Sequence, residues 1–362
     1  MTDRSPAWAA DWAATFLLCP SCGAAGLDRR DNRAVCADCG HSLGIDPHGT
    51  LLALPNATTG QANGTTGSDR MSSVTDIVKR FYEEHPFPNY DGFESVGDLL
   101  SRASRSVYAA MLDRQIPVGA RILEIGCGTG QLGAFLSVGG RAVVGVDMSS
   151  ASLGLATDFK TRHGLDNCNF MQGNLFDLPL QPESFDLVIC KGVLHHTADA
   201  RAAFATACTL ARPGGYVLVG LYNRIGRIPT TIRRWYFKLL PRHEDARDFV
   251  LSKITKSDEK ARSWFYDQYL HPHETRHTID EVLAWFAEND LDFINAAPSI
   301  RLGETLVPST RIFDRIAPGS RLEHFLIQIS WIWTISREGA LFDMIGRKAG
   351  APDAAVEMNP PC

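Results

Sequence analysis

At 362 residues, the chain has room for two domains of average size or one large domain with an appendage. Hydrophobic residues make up 44% and charged residues 21%, which excludes a mostly disordered or collagen-like chain. A net charge of −5 argues against a strongly basic nucleic-acid coat, and nine cysteines are too sparse for a disulfide scaffold.

The first 18 residues lack a basic start followed by a long apolar run, so they do not read as a signal peptide. The most apolar window, Phe325 to Ile335, falls short of the roughly 20 residues that a spanning helix needs. These features predict a soluble, cytoplasmic protein without a transmembrane segment. In a reducing compartment, paired cysteines favour metal over disulfides.

Residues 1–55 form the first unit. Cys19-Pro-Ser-Cys22-Gly is followed, after 13 intervening residues, by Cys36-Ala-Asp-Cys39-Gly. Each pair can turn two thiolates onto one ion, and the glycine behind it tolerates the tight turn. The pattern predicts a zinc-ribbon-like module with a structural zinc on Cys19, Cys22, Cys36 and Cys39. The alternative is a ribbon that has kept its cysteines without the metal. Four ligands close the site and argue against zinc catalysis. Residues 56–72 are rich in Gly, Thr, Asn and Ser and read as a flexible linker. The ribbon is therefore expected to be tethered, and the sequence leaves its docking on the core open.

Residues 73–350 form the second unit, ahead of a tail at 351–362. Val74, Ile77, Val78 and Phe81 lie at helical spacing, and that helix should stop before Pro86. An aromatic, proline-rich turn follows through Tyr90, then a helix over about 96–114. Residues 118–222 form the core. Apolar strands are expected at 120–126, 142–147, 167–174, 185–192 and 215–222, with helices between them. This rhythm predicts an α/β fold with a parallel, doubly wound sheet. After Tyr222 it breaks into insertions at 223–277 and 298–336. A helix at 279–289 and strands at 291–297 and 340–346 complete the pattern.

Four strand ends carry the candidate site. Glu124-Ile-Gly126-Cys127-Gly128-Thr129-Gly130 sits where a strand runs into a helix, and its glycines let a ligand press on the backbone. Its spacing differs from the dinucleotide fingerprint and disfavours a nicotinamide cofactor. Cys127 reads as a small residue that fits the turn. Asp147 ends the second strand, where a carboxylate can hold two ribose hydroxyls. Asn174 and Leu175 follow the third strand, and a polar side chain there can read an adenine edge. Lys191, His195 and His196 follow the fourth.

Together the segments LEIGCGTG, VVGVDMS, GNLFDLP, FDLVICKGVLHHTAD and LARPGGYVLVGLYN resemble the successive motifs of class I S-adenosylmethionine-dependent methyltransferases. The resemblance covers about residues 74–222. It implies a Rossmann-like, seven-stranded sheet whose last strand, 340–346, runs antiparallel. It implies S-adenosylmethionine as cofactor, with Glu124 and the Gly126–Gly130 loop facing its methionine part. Asp147 would hold the ribose and Met148 would lie beside the adenine, with Asn174, Leu175 and Lys191 completing the site. Asn174 departs from the family, which often has aspartate there, and altered affinity is expected. The ribbon resembles zinc modules found beside methyltransferases, some of which modify ribosomal RNA.

Methyl transfer needs a base only where the acceptor holds its proton at neutral pH. His195, His196 and His271 are the candidate catalytic groups, although a His-His pair after this strand also serves the scaffold. Tyr90, Tyr222, Asn223, Tyr269 and His273 are candidate acceptor contacts, with strand capping or loop packing as the alternatives. His271 to His277 has no HExxH pattern, so a metal site is disfavoured there. Residues 224–242 are basic with interleaved aromatics, suited to a membrane, RNA phosphates or an acidic small molecule. The first reading is a methyltransferase for a small-molecule acceptor, acidic or lipid-like. The second is an RNA or protein methyltransferase that grips its substrate with the ribbon. The third is a cofactor-binding scaffold without catalysis.

Overall fold

The computed structural model describes residues 10–54, 68–86, 95–239, 264–335, 339–350 and 358. Its centre is a parallel sheet of five strands, β5 (Arg121–Ile125), β6 (Ala142–Asp147), β7 (Cys168–Gln172), β8 (Phe185–Lys191) and β9 (Ala211–Tyr222). Each is buried along nearly its whole length, as strands covered on both faces must be. Two more strands, β10 (Leu291–Ala297) and β11 (Leu341–Lys348), close one side. β11 runs antiparallel to both β9 and β10. Across the domain the strands run β7-β6-β5-β8-β9-β11-β10. The strand order reverses beside β5, so the ends of β5, β6 and β8 open a crevice there.

Helices cover both faces. α3 (Val96–Arg105), α4 (Val107–Gln115), α5 (Gln131–Val138) and α6 (Ser150–His163) pack one face through Leu99, Leu112, Leu136 and Phe159. α7 (Ala200–Leu210), α9 (Ile279–Glu288) and α10 (Arg321–Thr334) pack the other through Phe204, Phe286 and Trp331. The single helix expected over 96–114 is two. Ser106 is extended, ends α3, and caps α4 by accepting the Ala109 N–H. In the expected 223–277 insertion, α8 (Ile228–Leu239) is a regular helix and Tyr266–Leu270 is a π-helical turn. Met358, in the expected tail, is buried against the α3–α6 side.

The structure answers what the sequence left open, the docking of the ribbon. The short helix α1 (Ala10–Phe16) leads into β1 (Asp28–Arg30), β2 (Arg33–Val35), β3 (Ser42–Ile45) and β4 (Leu51–Leu52). These four continue the main sheet into one of 11 strands, because β4 pairs in parallel with β7. Leu18 N–H donates to Pro179 O at 2.9 Å, Gln181 N–H to Phe16 O at 2.7 Å and Ala53 N–H to Gln172 O at 2.8 Å. Phe16 stacks on Phe185 with centroids 4.8 Å apart, and Trp12, Leu17, Leu27 and Leu51 join the α7–α10 core. The module is thus docked rather than hanging from a tether. The cause is the open edge of β7, whose free backbone groups would otherwise face solvent. The expected 56–72 linker lies largely outside the described residues, and its last part, from Ser68, already belongs to α2 (Ser68–Glu84).

Candidate active site

The crevice is a cavity of about 590 Å³ at the carboxyl ends of the strands, within the usual range for small-molecule sites. One half is built by β5, β6, β7 and β8. After β5 the chain turns through Gly126 at φ 68° and Gly128 at φ 52°. A side chain on Gly126 would also run into Val193, so this turn requires glycine twice over. Gly126 N–H donates to Val146 O at 2.7 Å, which ties the turn to β6. Asp147 then fixes the rim, accepting Gly128 N–H and Ser149 N–H, each at 2.8 Å on a different oxygen. Burial is the main cause of its raised pKa, and these two N–H groups hold it down in part.

Glu124 lies deeper on the same wall. It is buried, and its Oε2 has no hydrogen-bond partner. Burial, opposed by the Gly133 N–H and helped by nearby Asp147, pushes its pKa up to about 8. Oε2 lies beside Gly133 of α5, and Glu124 as a residue lines the cavity, where a carboxyl group suits a cationic ligand group. Met148, Asn174, Leu175 and Lys191 also line the cavity, with Gly126, Cys127 and Gly128. Asn174 Oδ1 accepts the Phe176 N–H at 3.2 Å, which leaves its amide NH₂ as the end to present to a ligand. Lys191 turns toward the sheet, where it pairs with Asp343 and lies 4.3 Å from the Tyr108 ring centroid. Thr129 and Gly130 do not line the cavity. Thr129 is fully buried, and Gly130 caps α5 in a left-handed conformation.

The other half is closed by α2, α4, the end of β9 and the π-helical turn. Thr75, Val78, Lys79 and Tyr82 come from α2, and Tyr108 from α4. Tyr222, Trp264, Asp267, Gln268 and Leu341 complete it. Asp267 joins three of these elements. It accepts Tyr82 Oη–H at 3.0 Å on one oxygen, and Tyr222 Oη–H at 3.3 Å and Gln268 Nε2–H at 3.0 Å on the other. Behind this group, buried Arg227 lies 3.4 Å from the Tyr222 ring centroid and makes a two-pronged pair with Glu274. α2 is pinned from its far side too, since Glu83 accepts Ser150 N–H at 2.8 Å and Ala151 N–H at 3.0 Å at the start of α6.

The three candidate histidines stack together. His196 and His271 have ring centroids 3.6 Å apart, and His195 lies 3.9 Å from Tyr222. Only His196 lines the cavity. Its Nδ1 is 2.9 Å from His273 O, and its Nε2 has no partner. Burial pushes the pKa of His196 down to about 3 and of His271 to about 2, and that of His195 well below its ordinary value. All three are neutral at pH 7, and none is a strong base.

The structure turns several expected acceptor contacts elsewhere. Asn223 is fully buried, and its amide holds Gln328 Oε1 at 2.8 Å and the Gly226 N–H at 2.8 Å. Tyr269 packs with Phe237 and Phe265 on the outer side of the π-helical turn. His273 is outside the cavity lining and serves His196 through its carbonyl. Tyr222 does line the cavity, and Tyr90 lies outside the described residues. Asp267 and Gln268 were missed. They sit in a stretch without apolar rhythm, and their only signal is the neighbouring Tyr266 and Tyr269.

In the ribbon, the four Sγ atoms of Cys19, Cys22, Cys36 and Cys39 all lie within 4.8 Å of one another. Cys19 and Cys39 are 3.5 Å apart, and Cys22 and Cys36 3.7 Å. Ligands at about 2.3 Å around a tetrahedral zinc stand roughly this far apart. Cys19 O accepts Gly23 N–H, and Cys36 O accepts Gly40 N–H, which makes the two knuckles alike.

Residues 116–287 match a family described as a methyltransferase domain. An uncharacterized protein of Synechococcus is 29% identical over 61% of this chain and 60% of its own length. The ubiquinone biosynthesis O-methyltransferase of Pasteurella multocida is 28% identical over 45% of this chain and 64% of its own. An uncharacterized methyltransferase of Bacillus subtilis, YcgJ, is 33% identical over 28% of this chain and 41% of its own. The chain thus spans less than two thirds of the length of these relatives. Among solved structures, a magnesium protoporphyrin IX methyltransferase from Synechocystis with bound SAH covers 78% of this chain and 97% of its own, at 17% identity and a TM-score of 0.41. Residues 116–287 thus match a methyltransferase domain, with which the strand order and the glycine-rich turn already described agree, and a zinc-ribbon-like module is built onto the same sheet.

Proposed function

We propose that the protein transfers a methyl group from S-adenosylmethionine to a small-molecule acceptor with an apolar or aromatic body. The observation that carries this reading is the single cavity joining Glu124, Asp147 and Asn174 to the chamber of Tyr82, Tyr222, Trp264 and Asp267. The cofactor would supply a methyl group already activated on a sulfonium. The chain's own work is then binding, orientation and exclusion of water. Asp147 would accept the ribose hydroxyls, Glu124 would meet the methionine ammonium, and Asn174 and Met148 would flank the adenine. Tyr82, Tyr222 and Trp264 would enclose the acceptor. His196 Nε2 and the Asp267–Tyr222 pair are the polar groups available to orient its reacting atom. Neutral, weakly basic histidines suit an acceptor that needs placing more than deprotonation.

The ribbon would hold one structural zinc on its four cysteines. Among the described residues, none of the ribbon lines the cavity, and β4 is occupied by β7. Both facts support a small acceptor over an RNA or protein gripped by the ribbon.

Calorimetry on the purified chain tests the cofactor half. S-adenosylmethionine or its demethylated product should bind the wild type. Asp147→Ala should weaken binding at least about tenfold, some 1.4 kcal/mol, with the far-UV spectrum unchanged. Failure of the wild type to bind either compound would reject the reading. The acceptor half is tested by mass spectrometry of extracts incubated with enzyme and cofactor, in search of a species heavier by one methylene.

A further inference from the structure

Around Asp267 the cavity offers a ligand lone pairs rather than protons. Tyr82 and Tyr222 both give their hydroxyl hydrogens to Asp267, at 3.0 and 3.3 Å. Gln268 Nε2 is spent on Asp267 Oδ2 and Tyr222 Oη, at 3.0 and 2.8 Å. The other end of that amide is taken as well, because Gln268 Oε1 accepts Arg227 Nη1–H at 2.8 Å. Nearby, His196 Nδ1 meets the His273 carbonyl, which can only accept, so in the neutral ring this nitrogen carries the proton and Nε2 keeps a lone pair. On Asp267 itself, Oδ2 takes two donors and Oδ1 takes one, which leaves one place open on Oδ1.

The same carboxylate lacks a cation. Asp267 is 5% exposed, and its three hydrogen-bond partners are neutral groups. A carboxylate buried this far is ordinarily matched by a positive charge. Arg227 does not fill that place: it lies over the Tyr222 ring, outside the cavity lining, and is engaged by Glu274 through two nitrogens and by the Gly339 carbonyl. Lys191 is held by Asp343. Lys79, a turn before Tyr82 on α2, lines the cavity but makes no ion pair with Asp267. Among the described residues no arginine lines the cavity, so the basic stretch after Tyr222 puts no positive group into it. The walls suit a cation, since Tyr82 and Trp264 bring aromatic rings to the lining. Tyr222 shows only its hydroxyl edge, because Arg227 and His195 cover its ring at 3.4 and 3.9 Å.

We infer that Asp267 anchors a positively charged amine of the acceptor, with the ammonium against Oδ1 and beside the Tyr82 ring. Held as an ammonium, the nitrogen keeps no lone pair, so it fixes the acceptor in place and leaves methylation to another atom. This inference rests on the proposed division of the cavity into a cofactor half and an acceptor half. The test uses the full chain saturated with S-adenosylhomocysteine and three probes of one skeleton, 2-phenylethylamine, 2-phenylethanol and phenylacetate, titrated by calorimetry. The amine should bind at least about tenfold more tightly than the alcohol or the acid, the worth of one hydrogen bond to a charged group. Asp267→Asn should bring the amine down to the level of the alcohol, while S-adenosylmethionine and S-adenosylhomocysteine keep their affinities within about twofold. A wild type that binds neither cofactor form fails the proposed function. A wild type that binds S-adenosylhomocysteine but not the amine, or takes the three probes alike, overturns the inference alone, and this comparison needs no variant to fold. If Asp267→Asn weakened S-adenosylmethionine but not S-adenosylhomocysteine, the carboxylate would belong to the cofactor's sulfonium, and the inference would again be overturned.

Discussion

Glu124 shows how one carboxyl group ties the proposed cofactor to pH. Its pKa of about 8 means that it is protonated in the folded chain at pH 7, whereas in the unfolded chain it ionises near its ordinary 4.5. A carboxyl group raised in this way favours folding fully below the unfolded pKa. That contribution is lost as pH rises through about 4.5 to 8. A bound ammonium beside this carboxyl group would reverse the preference by stabilising the ionised form. Binding of S-adenosylmethionine at pH 7 should therefore release protons, and affinity should rise with pH and level off above about 8. Calorimetry in buffers of different ionisation enthalpy measures that release. Glu124→Gln should abolish it and should flatten the pH dependence of stability in the ligand-free chain. Proton release that survives the substitution would assign it to another group. The rim residues Glu124, Asp147 and Asn174 were readable because each sits at a fixed place on a strand end. Asp267 was not, because its role depends on Tyr82 and Tyr222 arriving from distant elements. The histidines were readable as a group but not as to role, since neighbouring rings and burial, rather than sequence, decide their protonation.

At the scale of elements, legibility followed burial. The seven strands of the domain were placed from the sequence with ends shifted by a few residues, most plainly where a strand buried on both faces reads as an apolar run. The apolar segment 324–335 lies within α10, and its start is set by Ser320 and Glu323 in a reciprocal cap. What sequence hid was how elements meet. The run from 96 to 114 carries helical residues throughout, and only Ser106 breaks it by turning its side chain to the next helix. The ribbon's own fold was legible in its cysteines, whereas its pairing with β7 depends on an edge supplied by another part of the chain. That pairing predicts what zinc removal does. A stripped ribbon loses the cross-link between its two knuckles, frees β4, and exposes the β7 edge beside Asn174. Chelator treatment of a chain holding one zinc should lower the melting temperature and weaken cofactor binding together. A melting temperature and affinity indifferent to metal content would show that the cysteines hold the ribbon without an ion.

For the whole molecule, the arithmetic of length allowed two domains or one with an appendage, and the packing decides for neither as separate bodies. The ribbon contributes Trp12, Phe16, Leu17, Leu27 and Leu51 to the same apolar cluster as Phe185, Phe204 and Phe286. A core shared in this way unfolds as a unit. Deleting residues 1–54 is the obvious way to ask whether the ribbon recognises the acceptor, but here the cut also removes one wall of the core. Phe16, stacked on Phe185, is the part of that wall easiest to test without disturbing the cysteines. Phe16→Ala should cost about 3–5 kcal/mol in a denaturant titration while leaving zinc content unchanged. The truncated chain should be less stable than that variant and prone to aggregate through the bared strand edge. A truncated chain that melts like the wild type would show that the shared cluster contributes little, and would restore the tethered arrangement expected from residues 56–72. The recognition question is better put by charge substitutions on exposed ribbon residues such as Arg30 and Arg33, which leave the shared core in place.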